Sequence, residues 1–276
     1  MTQADLALAI DWAAAEGWNP GLDDAGCFLA ADAQGFLMSW LGDAPAACIS
    51  VVRYGADYGF LGFYISPPAH RGRGHGWAVW QAGMDRLAGR TVGLDGVVDQ
   101  QANYARSGFV LAHRNLRYGG RVAVDAPGAA EAAGRLVDAS ALPVADLIAY
   151  DRPFFPAPRD AFLSCWLNPA HRASLALIRD GAIAGYGTIR ACREGFKIGP
   201  LFAEDAAGAD LLFRGLAARA NGEPVYLDPP EVNAAAVALA RRYGLSPCFE
   251  TARMYRGPAP ALPLDRIFGI TTFELG

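Results

Sequence analysis

The 276-residue sequence has no long apolar run, no block of basic residues and no leader-like start. No apolar stretch reaches the ~18 residues that a membrane-spanning helix needs, so we expect no membrane partner. Basic residues are scattered and the formal net charge is −4, which disfavours nucleic acid as a partner. Met1–Ala15 lacks a basic region ahead of an apolar one, so the sequence does not predict a secretory signal.

Cysteine is sparse and shows no paired motif. The number of cysteines is odd, and none of them has Cys-x-x-Cys spacing. This pattern argues against a structural zinc site and against a disulfide framework. We therefore expect a reduced, cytoplasmic chain without a bound metal, whose cysteines lie in the core. The cysteines are Cys27, Cys48, Cys165, Cys192 and Cys248.

The length exceeds that of one ordinary domain and suits two domains of ~130–140 residues. A composition of 53% hydrophobic and 19% charged residues is typical of a globular protein. Arg121–Gly134, rich in Ala, Gly and Pro, is predicted to be the linker. Both halves show the same order of strand, loop, helix, strand, helix and strand, which indicates a duplicated fold. The fold class is therefore predicted as α/β (α+β), with two tandem domains over residues 1–122 and 135–276. Each domain is expected to have a mixed, mostly antiparallel sheet flanked by helices.

Apolar periodicity and Gly or Pro breaks predict the individual elements. In the first half, helices are predicted at Asp5–Glu16, Leu22–Ala30, Trp77–Leu87 and Gln100–Ser107, and strands at Phe36–Leu41, Ala46–Tyr54, Tyr58–Ser66, Thr91–Val97 and Phe109–Tyr118. In the second half, helices are predicted at Leu142–Tyr150, Ala161–Leu167, Ala209–Ala220 and Asn233–Tyr243, and strands at Ser174–Ile178, Ala182–Arg190, Phe196–Phe202, Pro224–Leu227 and Phe249–Tyr255, with an extended tail at Ile267–Leu275.

The stretch that carries most chemical information is Arg71-Gly72-Arg73-Gly74-His75-Gly76, between a predicted strand and a predicted helix. Glycines let a backbone approach a ligand without Cβ clashes. A helix start presents unpaired N–H groups and the positive end of the helix dipole. Together these features predict an anion cradle that suits a pyrophosphate.

We compared this stretch with three phosphate-binding sequence patterns. A Walker loop needs Gly-Lys-Ser/Thr, which the sequence lacks. A Rossmann turn needs Gly-x-Gly-x-x-Gly, whereas the glycines here give Gly-x-Gly-x-Gly, and Asp95 follows the wrong spacing for its ribose-binding acid. The acyl-CoA pattern Arg/Gln-x-x-Gly-x-Gly/Ala fits Arg71, Gly74 and Gly76.

With this acyl-CoA pattern, the chain resembles the GNAT superfamily of acyl-CoA-dependent N-acyltransferases. A second match follows downstream, where Asn103–Phe109 is similar to the family's Tyr-x-x-x-Gly-Phe segment. The second half is similar to a GNAT-like C-terminal domain in Gly199–Phe202, Arg253–Tyr255 and Phe273–Gly276. The resemblance therefore implies a tandem GNAT arrangement.

The resemblance also implies roles for individual residues. The backbone of Tyr64–Ser66 would pair with the pantetheine arm, and one of its N–H groups would polarise the thioester carbonyl. Tyr104 would be the catalytic acid that protonates the leaving thiolate. The implied acetyl-CoA-binding residues are Tyr64, Ile65, Ser66, Arg71, Gly72, Arg73, Gly74, His75, Gly76, Trp77 and Asn103.

The implied activity is transfer of an acetyl group from acetyl-CoA to a primary amine by direct attack, since no Cys or Ser has the signature of an activated nucleophile. The alternative is a non-catalytic sensor that binds CoA or another small molecule. Glu16, Asp23 and Asp24 flank a loop that borders the acceptor site in this fold, and Trp18 could line that site. The acceptor stays open among small metabolites, polyamines and peptide amines, and a homodimer is a further possibility.

The second half departs from the cofactor-binding pattern. Alignment of the halves puts Asp205 at the place of Arg71, Asp210 at that of Gly76 and Ala240 at that of Tyr104. Acidic side chains there would repel a pyrophosphate. We therefore expect a degenerate copy that shapes the substrate site or an interface.

Overall fold

The computed structural model describes residues 1–128, 130–168 and 172–276. Within these residues the helices are α1 (Gln3–Ala15), α2 (Asp24–Ala31), α3 (His75–Arg86), α4 (Gln101–Arg106), α5 (Val144–Asp151), α6 (Asp160–Trp166), α7 (Ala206–Ala217) and α8 (Ala234–Arg242). The strands are β1 (Phe36–Leu41), β2 (Ala44–Tyr54), β3 (Tyr58–Ile65), β4 (Thr91–Val97), β5 (Val110–Arg121), β6 (Ala130–Glu131), β7 (Gly134–Asp138), β8 (Arg172–Arg179), β9 (Ala182–Ala191), β10 (Phe196–Ala203), β11 (Pro224–Leu227), β12 (Ser246–Arg256) and β13 (Ile267–Gly269).

These strands form one continuous sheet. Its order is β1-β2-β3-β4-β12-β5-β11-β10-β9-β8-β7-β6, and β13 pairs with β10. Neighbouring strands are antiparallel except for the β3–β4 and β10–β11 pairs, which are parallel. A parallel pair needs a crossover, and α3 and α7 lie in these two crossovers. The prediction of a mixed, mostly antiparallel sheet flanked by helices is confirmed.

The two halves of the chain exchange strands at the centre of this sheet. Strand β12 of the second half lies between β4 and β5, with Thr251 opposite both Val97 and Asn115. Strand β5 of the first half pairs with β12 and with β11. The predicted strand Phe109–Tyr118 is confirmed as β5. The domain boundaries at residues 122 and 135 remain a prediction. Each half contributes a strand that pairs with strands of the other half.

The predicted linker Arg121–Gly134 is bounded by strand residues. Strand β5 continues to Arg121, and Gly134 begins β7, which pairs with β8. Ala129, within the predicted linker, lies outside the described residues. The predicted extended tail is a strand only over Ile267–Gly269, and residues 271–276 are buried.

The apolar core also joins the halves. One cluster contains Leu6 of α1 and Phe28 of α2 together with Phe162 and Trp166 of α6. Burying large apolar side chains is the dominant favourable contribution to folding, so this shared cluster holds the halves as one unit. Separate clusters lie under α3 in the first half and under α7 and α8 in the second.

Two cysteines correct the expectation of a reduced chain. Cys27 of α2 and Cys165 of α6 form a disulfide across a sequence separation of 138 residues. Scattered spacing cannot reveal such a pair, because the fold alone brings α2 and α6 together. Cys48 and Cys192 are buried, as predicted, whereas Cys248 is exposed. Among the described helices, none has the length and apolar character to cross a membrane.

Candidate functional site

A cleft opens where β3 and β4 part. Their parallel pairing runs from Tyr58 opposite Thr91 to Leu61 opposite Leu94 and stops there, although β3 continues to Ile65. A cavity of about 580 Å³ lies at this point. It is lined by Glu16, Trp18, Leu61, Gly62, Phe63, Tyr64, Ile65, Ser66, His70, Arg71, Gly72, Gly74, Gly76, Trp77, Leu94, Asp95, Gly96, Val97, Asp99, Gln100, Tyr104, Phe249, Thr251, Phe273 and Glu274.

Strand β3 carries a bulge beside the cleft. Gly62 pairs with Ser50 and Ile65 with Cys48, so β3 has one residue more than β2 over this segment. Phe63 within it has φ +44°, a left-handed conformation that a bulky residue rarely adopts. Such outliers persist where the surrounding structure imposes them, and they concentrate at functional sites.

The Gly-rich loop leads directly into α3, as the sequence predicts. Helix α3 begins at His75, with Gly74 at the N-cap and φ +85°, and Gly72 has φ +73°. A Cβ on Gly72 or Gly74 would meet no atom within 4 Å, so backbone conformation rather than space requires glycine there. The free N–H groups of the first turn of α3 therefore face an open approach from the loop side.

Arg71 is held at the mouth of this loop. Its Nε donates to the Ser66 carbonyl at 2.9 Å, and its guanidinium pairs with the Glu16 carboxylate. The Arg71 side chain is 52% exposed, and exposed ion pairs of this kind contribute only about 0–1 kcal/mol. An anion at the loop can thus replace Glu16 as the partner of Arg71 at little cost.

Tyr104 of α4 reaches the cavity from the opposite side of the cleft. The residue is 6% exposed, and its ring stacks on Trp80 with centroids 5.8 Å apart. Burial raises the pKa of the Tyr104 hydroxyl well above its ordinary value. The hydroxyl is therefore protonated at neutral pH and able to donate.

Three of the predicted binding residues lie away from the cavity wall. The Asn103 amide donates to Gln100 and accepts from Arg106 on the exposed surface of α4. The ring of His75 packs near that of His70, with centroids 6.1 Å apart. Arg73 is exposed. The other predicted residues, Tyr64, Ile65, Ser66, Arg71, Gly72, Gly74, Gly76, Trp77 and Tyr104, all line the cavity.

The second half supplies cavity residues that sequence reasoning missed. Phe249 and Thr251 come from the inserted strand β12, and Phe273 and Glu274 from the buried segment 271–276. No spacing signal reveals them, because they reach the cleft only through the strand exchange. Trp18 and Glu16 also line the cavity, as the sequence suggested.

Two acidic residues in this region serve the fold. Asp95 accepts from Arg253 at 2.8 and 2.6 Å and from the Asn115 amide at 2.8 Å, and burial raises its pKa against the effect of Arg253. Asp24 is buried beside Arg190, with N and O atoms 3.2 Å apart. Asp24 is thus an internal ion-pair residue, and it does not line the cavity.

The second half contains a matching gap that its own chain fills. Strands β10 and β11 part after Ile198 and Leu227, and β13 pairs with β10 there, with Leu201 opposite Gly269. At the start of α7, Asp205 accepts from the Gly208 N–H at 2.8 Å and pairs with Arg179 at 2.7 Å. The N–H groups of α7 thus already have a carboxylate partner.

The described residues contain no group of three His, Cys, Asp or Glu side chains placed to hold a metal ion. The cleft is lined by backbone amides and by arginine, tyrosine and carboxylate side chains.

Comparison with known proteins agrees with this geometry. A family model described as an acetyltransferase (GNAT) domain matches residues 147–269. The holothin acyltransferase of Pseudoalteromonas sp. (strain SANK 73390) is 32% identical over 269 residues, which cover 96% of this chain and 90% of that relative. The chain therefore belongs to the GNAT family, and it is an acyltransferase.

Solved structures show the same fold. A putative acetyltransferase from Pyrococcus horikoshii has a TM-score of 0.76 at 23% identity, covering 91% of this chain and 83% of that one. A tandem GNAT protein from the clavulanic acid biosynthesis pathway has a TM-score of 0.65 at 15% identity, covering 94% and 96%. The tandem GNAT arrangement predicted from the sequence is confirmed.

Proposed function

We propose that this acyltransferase moves an acetyl group from acetyl-CoA to a primary amine by direct attack. The observation that supports this most is the cleft between β3 and β4, because one cavity brings together the loop before α3, the bulge of β3 and Tyr104. A donor that combines a diphosphate with a thioester requires all three of these elements.

The residues of the cleft fit such a donor. The first turn of α3 and Arg71 would hold the diphosphate, since helix N-termini and guanidinium groups bind phosphate oxygens. Among the described residues, no strand pairs with the edge of β3 over Gly62–Ile65 on the β4 side, so its backbone groups are available to an extended chain. When bound, the donor supplies an acyl group activated as a thioester.

The chain's own groups would then act on the reacting atoms. Backbone N–H groups at the bulge would stabilise the carbonyl oxygen as negative charge develops on it. As the C–N bond forms and the C–S bond breaks, Tyr104 would give its proton to sulfur and recover one from the nitrogen. Positioning in the cleft supplies the rest of the rate enhancement.

Direct attack also agrees with the state of the buried thiol beside the bulge of β3. Cys48 donates to the Phe63 carbonyl at 3.2 Å beside the bulge, and burial raises its pKa to about 12. A thiol with such a pKa is almost fully protonated at neutral pH, so it is a poor nucleophile. A covalent acyl-enzyme at Cys48 is therefore disfavoured.

Calorimetric titration with acetyl-CoA, followed by thiol release over an amine panel, tests the proposal. We expect the wild type to bind acetyl-CoA and to release thiol only when an amine is present. Arg71→Glu should bind acetyl-CoA at least about 10-fold more weakly, because it reverses the charge at the diphosphate. Unchanged affinity in Arg71→Glu would contradict the cradle, and binding without thiol release from any amine would favour the sensor alternative.

A further inference from the structure

Glu274 is a buried carboxylate that makes no direct hydrogen bond or ion pair with the described part of the chain. The residue is 3% exposed and lines the cavity beside Gly62 and Phe63. No hydrogen bond or ion pair joins its carboxylate oxygens to another described residue, whereas nearby Asp95 and Asp228 each have an arginine. Buried carboxylates normally accept hydrogen bonds, so a ligand that donates directly to the Glu274 carboxylate is expected.

The cations that face Glu274 from neighbouring strands are already engaged. Arg117 of β5 binds Asp228 at 2.8 Å, and Arg190 of β9 lies 3.2 Å from Asp24. Lys197 of β10 donates to the Asn19 carbonyl at 2.9 Å. Their charges act on Glu274, but none of these groups makes a hydrogen bond or ion pair with its carboxylate, so the cavity remains the direction from which a direct partner can approach it.

The segment that carries Glu274 is held rigidly. The Leu275 N–H donates to Thr272 Oγ1 at 2.9 Å, and the Tyr54 hydroxyl donates to the Leu275 carbonyl at 3.2 Å. A Cβ on Gly62 would overlap with the Glu274 carbonyl oxygen, so the segment lies directly against β3. The backbone of Glu274 is thus fixed next to the bulge of β3.

Aromatic rings surround the same part of the cavity. The Phe249 and Phe273 centroids are 6.0 Å apart, and Trp18 is also on the wall. The Arg117 guanidinium already lies over both phenyl rings, 5.7 Å from the Phe249 centroid and 4.7 Å from that of Phe273, so these rings supply apolar surface to a ligand. A carboxylate beside an apolar wall favours an ammonium group attached to an apolar or aromatic body.

We propose that Glu274 binds the acceptor as a primary ammonium ion and takes one proton from its nitrogen. The inference rests on the proposed function. The N–H bond breaks as an O–H bond forms on Glu274, and the freed lone pair then forms the C–N bond. Glu274 returns its proton to solvent, while a second nitrogen proton reaches sulfur through Tyr104. The second half of the chain thereby supplies the acceptor subsite through segment 271–276 and β12.

Benzylamine and its uncharged analogue benzyl alcohol test the subsite by calorimetry. We expect the wild type to bind benzylamine more tightly than benzyl alcohol at neutral pH. Glu274→Gln, which keeps the shape and removes the charge, should lose about 10-fold or more of the benzylamine affinity and keep the benzyl alcohol affinity. Glu223→Gln, at an exposed glutamate, is the matched control and should behave as the wild type.

Turnover with benzylamine tests the proton step. Glu274→Gln should lower kcat by about 100-fold or more, since a positioned base contributes on that order. Glu274→Asp keeps the charge but withdraws it by one methylene, so it should keep benzylamine binding with an intermediate kcat. Equal benzylamine affinity in the wild type and Glu274→Gln, no preference of the wild type for benzylamine over benzyl alcohol, or equal turnover would each overturn the inference.

Titration with acetyl-CoA distinguishes a failure of the Glu274 inference from a failure of the proposed function. Glu274→Gln should bind acetyl-CoA within about twofold of the wild type, because Arg71 and the first turn of α3, and not Glu274, would hold the diphosphate. If the wild type does not bind acetyl-CoA, the proposed function fails. If it binds acetyl-CoA and acetylates amines without a contribution from Glu274, only the present inference fails.

Discussion

Gly96 lies directly against the ring of Tyr104. A Cβ on Gly96 would overlap with Cε2 of Tyr104, and Trp80 stacks on the same ring with centroids 5.8 Å apart. The ring therefore occupies a slot between β4 and α3 that only a glycine on β4 leaves open. This contact fixes where the phenol can donate its proton.

Tyr104→Phe should lower kcat by about 100-fold or more while leaving acetyl-CoA affinity within about twofold, because the ring stays and only the proton donor is lost. Steady-state kinetics and calorimetric titration measure the two quantities. Tyr243→Phe, which removes a hydroxyl bonded to Asp210 in the second half, is the matched control. Equal losses of turnover and affinity would assign Tyr104 to packing instead.

Gly74→Asp should weaken acetyl-CoA binding by at least about 10-fold, because a carboxylate at the N-cap of α3 repels the diphosphate. Gly244→Asp is the control, since Gly244 also has a positive φ, +73°, and open space around a Cβ. Both variants carry similar backbone strain, so both should lose similar thermal stability. A loss of affinity of the same size in Gly244→Asp would mean that strain, not charge, is responsible.

The disulfide between Cys27 and Cys165 should stabilise the fold by about 2–4 kcal/mol, since it restricts the unfolded chain. A Cys27→Ser, Cys165→Ser double variant should lower the melting temperature, and reductant should lower that of the wild type but not of the variant. Cys248→Ser, at an exposed free cysteine, is the control and should change neither. Thiol titration of the denatured wild type without reductant should find three free thiols, and five would contradict the disulfide.

Local patterns in the sequence predict much of the first half. Strands Phe36–Leu41 and Thr91–Val97 match the structure, because alternating apolar residues and flanking turns are properties of the segments themselves. The loop from Arg71 to Gly76 is predicted on the same basis. These features need no knowledge of what lies beside them.

Features that depend on distant pairing were not predicted from the sequence. The insertion of β12 beside β4 depends on contacts such as Thr251 with Val97, far apart in the chain. The place of Glu274 in the cavity follows from that insertion and from the turn at Thr272. The periodicity of a segment indicates its type of element and gives no information about its partner.

His113 should make stability depend on pH in mildly acidic solution. The residue is 7% exposed, and burial and the nearby Arg253 lower its pKa from 6.5 to about 4. The unfolded chain therefore binds a proton that the folded chain does not bind between these values, so stability falls as pH drops from 6.5 towards 4. The full loss of unfolding free energy is about 3 kcal/mol. No loss occurs at pH values above the pKa of His113 in the unfolded chain.

Urea unfolding at a series of pH values measures this effect of His113. We expect the slope of the unfolding free energy between pH 4 and 6.5 to shrink in His113→Gln. A variant that keeps the slope of the wild type would show that other groups cause it. At pH values above the pKa of His113 in the unfolded chain, position 113 should contribute no pH dependence to the unfolding free energy of either protein.

Acetyl-CoA should bind with a stoichiometry of one per chain, although the chain contains two related halves. In the second half, β13 pairs with β10 at Leu201 and Phe202 and so occupies the gap that stays open between β3 and β4. The α7 N-terminus is capped by Asp205, whose charge would repel a diphosphate.

Calorimetry gives this stoichiometry directly, and Arg71→Glu locates the site. If the first half holds the donor, the single binding event should be at least about 10-fold weaker in the variant. Asp205→Asn is the matched variant of the second half: it removes the repelling charge yet leaves β13 in place, so it should create no second event. Two events in the wild type, or a residual event of unchanged affinity in Arg71→Glu, would mean that the second half binds the donor despite its filled gap.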